Sequence, residues 1–245
     1  MEAIKTVGLT KRYKDTVAVD GLCLEVEEGE VFALLGVNGA GKTTTVKMLS
    51  TLTPPTSGDA YIFGKSIKDE PREVKRLIDI SMQETAVAKN LTVLENLEFY
   101  ADVCGLPKEK KAEKIKEISE RFSFAPVMHK RAKTLSGGWQ RKLSIATALI
   151  SEPKVLFLDE PTLGLDVIAR RDLWKMIEDI KKNTTVILTT HYMEEAEALS
   201  DRIGIMAEGR LIAVGTAEEL KDMAGAESFE DAFVAIATGK AGDRE

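Results

Sequence analysis

The octapeptide Gly36-Val37-Asn38-Gly39-Ala40-Gly41-Lys42-Thr43 sets glycines, a lysine and a hydroxyl in the Gly-x4-Gly-Lys-Thr spacing. That spacing suits a row of phosphates. Glycine is needed at Gly36, Gly39 and Gly41 so that the backbone can curl and aim successive N–H groups inward, without side chains in the way. The amides of Asn38, Ala40 and Thr44 belong to the same curl, and a helix opening there adds positive potential. Lys42 supplies a mobile cation for the outer phosphates, and the Thr43 hydroxyl suits a magnesium ion (Mg2+).

A phosphate-bound magnesium ion needs a carboxylate, and hydrolysis needs a group that activates water. The apolar run Val155-Leu156-Phe157-Leu158 ends in Asp159-Glu160. Two carboxylates at a strand end are costly unless each has a task or a partner. Asp159 suits the metal, and Glu160, one residue on and pointing elsewhere, suits a general base. A third element is Leu135-Ser136-Gly137-Gly138-Trp139-Gln140. Ser136 is expected to cap a helix whose free N–H groups, beside the bare Gly137 and Gly138, form a second anion-binding end.

The elements that must position these groups follow from periodicity. Apolar alternation predicts strands at Glu2–Leu9 and Val17–Glu27, a buried strand at Val31–Leu35, then a helix over Thr43–Leu52 stopped by Pro54-Pro55. Further strands are expected at Ala60–Phe63, Leu77–Gln83, Lys154–Asp159 and Thr184–Thr190, with a hairpin at Arg202–Val214 around Glu208-Gly209. The middle differs: Thr92–Val103 and Pro107–Phe122 have helical spacing, and no strand is evident there. Strand, crossover helix and strand in succession predict an α/β fold with a mostly parallel sheet, interrupted by a helical insertion. Ser228–Ile236 reads as a terminal amphipathic helix followed by a polar tail.

Composition narrows the class. The 245 residues are 44% apolar and 30% charged, as expected of a soluble globular protein. No apolar run is long enough to cross a bilayer, and the start lacks the pattern of a secretion signal. Cys23 and Cys104 lie far apart, which supports neither a disulfide framework nor a zinc ribbon; Cys104 is expected to be a small buried thiol and His129 a surface residue. The net charge of −6 argues against nucleic acid as a partner. Between Gly105 and Lys142 eleven Lys and Arg stand against four Asp and Glu, whereas Met193 to Glu245 holds five against thirteen. Both solvated helical surfaces and a basic face turned toward an anionic partner, such as a membrane surface, remain open.

The order of cradle, Gln83, helical insertion, Ser136-Gly137-Gly138 signature, Asp159-Glu160 and His191 resembles the nucleotide-binding domain of ATP-binding cassette (ABC) proteins over nearly the whole chain. The resemblance implies a P-loop NTPase core with an N-terminal antiparallel β subdomain and an inserted α-helical subdomain at about 84–150, within an ATPase domain at 1–223; a short helix and tail would follow at 224–245. It implies that Gln83 reaches the metal and the attacking water, and that His191 contacts the γ-phosphate and orients Glu160. Asp166 would lie at a dimer seam and Tyr13 under adenine, where stacking contributes about 1–3 kcal/mol. Each has a plainer reading: a polar strand end for Gln83 and His191, a helix cap for Asp166, a strand-edge ring for Tyr13. Val37 and Met82 stand where the family often has proline, which alters loop stiffness but removes no functional group.

Because the cradle surrounds its own nucleotide, the resemblance also implies that Ser136, Gly137 and Gly138 meet the γ-phosphate held by a second copy, two chains closing head to tail around two ATP. An ATPase subunit driving a separately encoded membrane permease from the cytoplasmic side is then expected, exporting drugs, antibiotics or sodium. The competing readings are a soluble ABC ATPase acting on nucleic acid or ribosomes, and a regulatory nucleotide-binding module without turnover.

Overall fold

The computed structural model describes residues 1–239; residues 240–245 of the expected polar tail lie outside the described residues. Its centre is a six-stranded sheet in the order β11-β10-β4-β9-β8-β7. These strands are β4 (Val31–Leu35), β7 (Ile78–Ser81), β8 (Val155–Asp159), β9 (Thr185–Thr190), β10 (Arg202–Ala207) and β11 (Arg210–Gly215). All pairings are parallel except β10 with β11. That pair turns at Glu208 and Gly209, both with positive φ, as a two-residue hairpin requires.

Strands β4, β8 and β9 are buried along their whole length, so they read as continuous apolar runs, as parallel strands covered on both faces do. Alternation then feeds two cores. Val31, Ala33 and Leu35 of β4 and Leu156 and Leu158 of β8 face one core. Phe32, Leu34, Val155 and Phe157 face the other. Fully buried rings such as Phe32 and Phe157 contribute about 1.5–3 kcal/mol each through area removed from water.

A second, antiparallel sheet joins β1 (Glu2–Tyr13), β2 (Thr16–Leu22), β3 (Glu25–Glu27), β5 (Ser57–Ile62) and β6 (Lys65–Ser66), with β1 central. Here the structure corrects the sequence reading. β1 runs on to Tyr13, past the expected Leu9, through shifts of register. The expected strand Val17–Glu27 is two strands, broken at Cys23-Leu24, and they pair with different stretches of β1. Alternation along one strand carries no record of a change in pairing register.

Helix α1 (Lys42–Leu49) follows β4, and a short α2 (Pro71–Lys75), not expected from periodicity, precedes β7. Between β7 and β8 lie α3 (Val93–Val103), α4 (Lys108–Arg121) and α5 (Gly137–Ala148). α3 starts on a reciprocal cap between Thr92 and Glu95, which satisfies two free amide donors. α6 (Val167–Lys181), α7 (Met193–Leu199), α8 (Ala217–Ala224) and α9 (Phe229–Ala237) complete the described chain. His129 is exposed as expected. Cys104 is exposed rather than buried, because it ends α3 just before Gly105 and not on the helix face that packs inward.

Candidate functional site

The cradle lies at the C-terminal end of β4, the position in an open α/β sheet where crevices form. Gly36 passes so close to β10 that a Cβ there would stand 2.5 Å from the Met206 carbonyl oxygen. Gly41, at φ 104°, would place a Cβ 2.5 Å from the Ala18 carbonyl oxygen. Gly41 is also the N-cap of α1 and offers no side-chain cap, so the first-turn amides are left for another acceptor. A cavity of about 450 Å³ opens above them, lined by Tyr13, Asn38, Gly39, Ala40, Gly41, Lys42, Thr43, Thr44, Gln83, Glu160 and His191, together with Ala18 and Leu163.

Charges of both signs converge inside it. The buried Lys42 ammonium donates to the Gly36 carbonyl at 2.7 Å and the Val37 carbonyl at 3.3 Å, and lies 3.4 Å from Glu160 Oε1. Glu160 Oε2 is 2.8 Å from His191 Nδ1. Glu160 has φ 48°, left-handed backbone that costs a non-glycine residue about 1–2 kcal/mol and that turns its carboxylate away from Asp159. Its amide donates to the Thr189 carbonyl at 3.1 Å.

Asp159 Oδ1 accepts from Thr43 Oγ1 at 3.0 Å and from Thr189 Oγ1 at 2.6 Å. Its other oxygen, Oδ2, is buried with no partner among the described residues. An orphaned carboxylate oxygen beside a threonine hydroxyl fits a magnesium ion, which takes one or two carboxylates and completes its shell with phosphate and water. Among the described residues no three His, Cys, Asp or Glu side chains cluster as a metal site, so the protein alone does not make a full coordination cage.

Gln83 follows β7 at the cavity wall, exposed. Tyr13 ends β1 and lines the same cavity, 45% exposed, with the Lys11 ammonium 5.1 Å from its ring centre. Ser136, Gly138 and Asp166 are elsewhere: they line a separate cavity of about 300 Å³ with Trp139, Lys142 and Ile168, and Gly137 adjoins it at the start of α5. Asp166 caps α6, accepting from the amides of Ile168 and Ala169 at 2.9 Å each. Ser136 sits at the N-cap of α5 but makes no side-chain cap bond, contrary to the expected cap. Its hydroxyl and the first amides of α5 are therefore both left for an external acceptor.

Three contributors went unnoticed in the sequence. Thr189, fully buried at the end of β9, anchors Asp159; a threonine pair closing an apolar strand was the available signal. Arg141 donates to the carbonyls of Met82 and Gln83 at 2.7 and 2.6 Å. Burial pushes its guanidinium below its usual range, with Asp159 and Glu195 acting the other way. Glu195, on α7, is fully buried and accepts from the Trp174 indole at 3.3 Å; burial pushes its carboxyl above the usual range.

Comparison with known proteins places this geometry. The sequence profile of the ABC transporter family matches residues 19–163. The daunorubicin/doxorubicin resistance ATP-binding protein DrrA of Streptomyces peucetius is 43% identical over 224 residues, which cover 91% of this chain and 68% of that protein. The human phospholipid-transporting ATPase ABCA3 is 46% identical over 227 residues, again 91% of this chain; the chain spans only 13% of that relative's length. Among solved structures, an ATP-binding subunit of an ABC transporter superimposes with a TM-score of 0.85 at 27% identity, covering 96% of this chain and 99% of that one. A dimeric ATP-binding cassette in a post-hydrolysis state, bound to ADP and phosphate, does so with a TM-score of 0.78 at 25% identity over 87% and 98%.

Proposed function

The chain belongs to the ABC transporter family, and from that premise we propose that it is the ATP-binding and ATP-hydrolysing subunit of a transporter, working as a head-to-tail pair that drives a separately encoded membrane permease. The observation that carries this reading is the division of the phosphate-facing groups between two cavities of one chain, the cradle at one and the free tip of α5 at the other.

In this reading the amides of Asn38 to Thr44 and the Lys42 ammonium hold the phosphates, and Tyr13 stacks on the adenine. Thr43, Asp159 and Gln83 hold a magnesium ion, which when bound neutralises charge on the outer phosphates. Glu160 takes a proton from the water as its oxygen bonds to the γ-phosphorus and the bond to the ADP oxygen breaks. His191, hydrogen-bonded to Glu160, keeps that carboxylate aimed and contacts the γ-phosphate. Ser136, Gly137 and Gly138 of the second copy close over the same phosphate, with Asp166 beside the seam.

The ATPase domain is residues 1–223, with the helical insertion at 84–150 and a short terminal segment at 224–245. The insertion and Gln83 form the docking face for the permease. In this reading attachment at the cytoplasmic face runs through that partner; among the described residues no helix is long and apolar enough to cross a membrane. The reading extends to an exporter of drugs, antibiotics or sodium, and the 43% identity to the drug-resistance protein DrrA supports the drug and antibiotic part of it. Affinity purification from detergent-solubilised membranes tests the reading: a stoichiometric hydrophobic partner is expected, and enrichment of nucleic acid in its place would overturn it.

A further inference from the structure

Tyr13 stands at the end of β1, beside the turn that leads into β2, where Lys14 has φ 47°. A ring this exposed is not held by core packing, yet it has a brace. The Lys11 ammonium lies over it at 5.1 Å from the ring centre, within the roughly 6 Å over which an aromatic face attracts a cation. Lys11 is not one of the residues lining the cradle cavity, whereas Tyr13 is. The ammonium therefore covers the face of the ring turned away from the cavity and leaves the other face open.

The brace is itself anchored, because the same ammonium donates to the Pro54 carbonyl at 2.6 Å. Pro54 belongs to the segment that leaves α1, and that segment is tied at both ends. The Thr53 amide donates to the Lys47 carbonyl in the last turn of α1 at 3.0 Å. The Thr56 amide donates to the Thr10 carbonyl at 2.8 Å, and the Arg12 amide to Thr56 Oγ1 at 3.0 Å. Proline fixes φ at Pro54 and Pro55, so the carbonyl that receives Lys11 has little freedom. Lys11 thus props Tyr13 against the far end of the helix whose first turn faces the cradle. The eight residues of α1 span about 12 Å, so the ring and the phosphate-facing amides are referred to the two ends of one short helix.

We infer that Lys11 is a positioning residue for nucleobase recognition: it holds the Tyr13 ring from behind, so that the open face meets the base already ordered. The inference rests on the proposed place of Tyr13 under adenine and adds the group that sets the ring. Ordering one side chain on binding weakens affinity about twofold to tenfold, and Lys11 removes that penalty by ordering the ring in the free protein. Because the ammonium lies outside the cavity, it acts on the base end of the site and not on the phosphate end.

Calorimetric titration of the full chain with a non-hydrolysable ATP analogue and with tripolyphosphate separates the two ends. Lys11→Met keeps the aliphatic stem and removes the charge, and the hydrogen bond it loses is exposed, so the fold is retained. Kd for the analogue should rise about twofold to tenfold, while Kd for tripolyphosphate stays unchanged. In a Tyr13→Ala background the same substitution should have no further effect, because Lys11 acts through the ring. Parental affinity of Lys11→Met for the analogue would overturn the inference, as would a loss that extends to tripolyphosphate or persists without the ring. A Tyr13→Ala protein that binds the analogue as the parent does would instead overturn the proposed place of Tyr13, and the role of Lys11 with it. Proton NMR of the unmutated protein gives a reading that needs no variant. The Lys11 ε-methylene protons should be shifted upfield by the ring and stay so when the analogue is added; an ordinary lysine position in either state would refute the brace.

Discussion

Replacing Glu160 by Gln separates chemistry from binding, and the structure sets the size of each effect. The carboxylate lies between two groups, 3.4 Å from the Lys42 ammonium and 2.8 Å from His191, and is 6% exposed. At an effective dielectric near 20, the 3.4 Å pair has a gross attraction of about 5 kcal/mol. Most of that is offset by desolvation, and Lys42 keeps two carbonyl acceptors when the carboxylate goes. A net loss of about 1–3 kcal/mol in the nucleotide-free protein follows, which for a chain of this length lowers Tm by about 2–12 °C. On the proposed function the phosphates take the place of Glu160 as partners of Lys42 in the nucleotide complex, so the loss would fall on the free protein alone. Linkage returns it as tighter binding, about fivefold to 150-fold in Kd. Hydrolysis should fall by about 10²–10⁴ as the general base is removed. Differential scanning fluorimetry, titration with a fluorescent nucleotide and phosphate release measure the three. A kcat within about tenfold of the parent would refute the base assignment. Unchanged Tm and Kd together would refute the idea that Lys42 is held in reserve by Glu160.

Other perturbations address the remaining parts of the site. Ser136→Arg is expected to leave folding and ATP binding by the monomer intact, because Ser136 is exposed and caps nothing. It should abolish ATP-dependent dimerisation in size-exclusion chromatography, and a normal dimer would refute the shared site. Gly36→Ala forces a methyl group to within 2.5 Å of the Met206 carbonyl oxygen; overpacking of this kind costs about 1–3 kcal/mol, read as a lower urea midpoint accompanied by weaker nucleotide binding. An unchanged midpoint would mean that β10 yields freely. Burial raises the Glu195 carboxyl above its ordinary value, so the stability tied to its protonated form is complete below the unfolded pKa and is lost as pH rises through the folded one. Glu195→Gln should therefore flatten the decline of Tm as pH rises above the ordinary carboxylate range, and parallel curves for the two proteins would contradict that origin.

What was legible in the sequence is what local spacing can encode. The cradle declares itself because its glycines, lysine and threonine are contiguous, and β4 and β8 because strands covered on both faces are unbroken apolar runs. Asp159 and Glu160 were visible as charges at the end of such a run. The supporting partners were not, because their contacts span the chain: Thr189 reaches Asp159 across 30 residues and Arg141 reaches Met82 across 59. Nothing in the vicinity of Arg141 distinguishes it from the neighbouring Lys142, whose ammonium lies over the Trp139 ring at 4.8 Å. Ser136 was misjudged as a capping side chain from its type alone. A serine before two glycines has the composition of a cap, whereas the direction of its hydroxyl is decided by what surrounds α5 in three dimensions.

On the proposed function the phosphate site is divided between two cavities, which makes sense energetically only if closure is conditional. A charge-assisted hydrogen bond to an anion contributes about 1.5–3 kcal/mol, and two symmetric sites in a pair therefore contribute about 3–6 kcal/mol to closure even if each tip makes one such bond. Moving an equilibrium from 1:99 to 99:1 takes about 5.5 kcal/mol, which one bond per tip reaches only at the top of its range, so the Ser136 hydroxyl and a first-turn amide of α5 must both engage the terminal phosphate for it to be a sufficient switch. Were Ser136 a true cap, its hydroxyl would be engaged within its own helix, and part of this difference would vanish. The absence of a side-chain cap bond at α5 is thus the feature that leaves the switch its range. It also implies that restoring a cap, for instance with Ser136→Asp, should strengthen α5 while weakening nucleotide-driven association, since the new carboxylate would repel the phosphate that the tip is left open to receive.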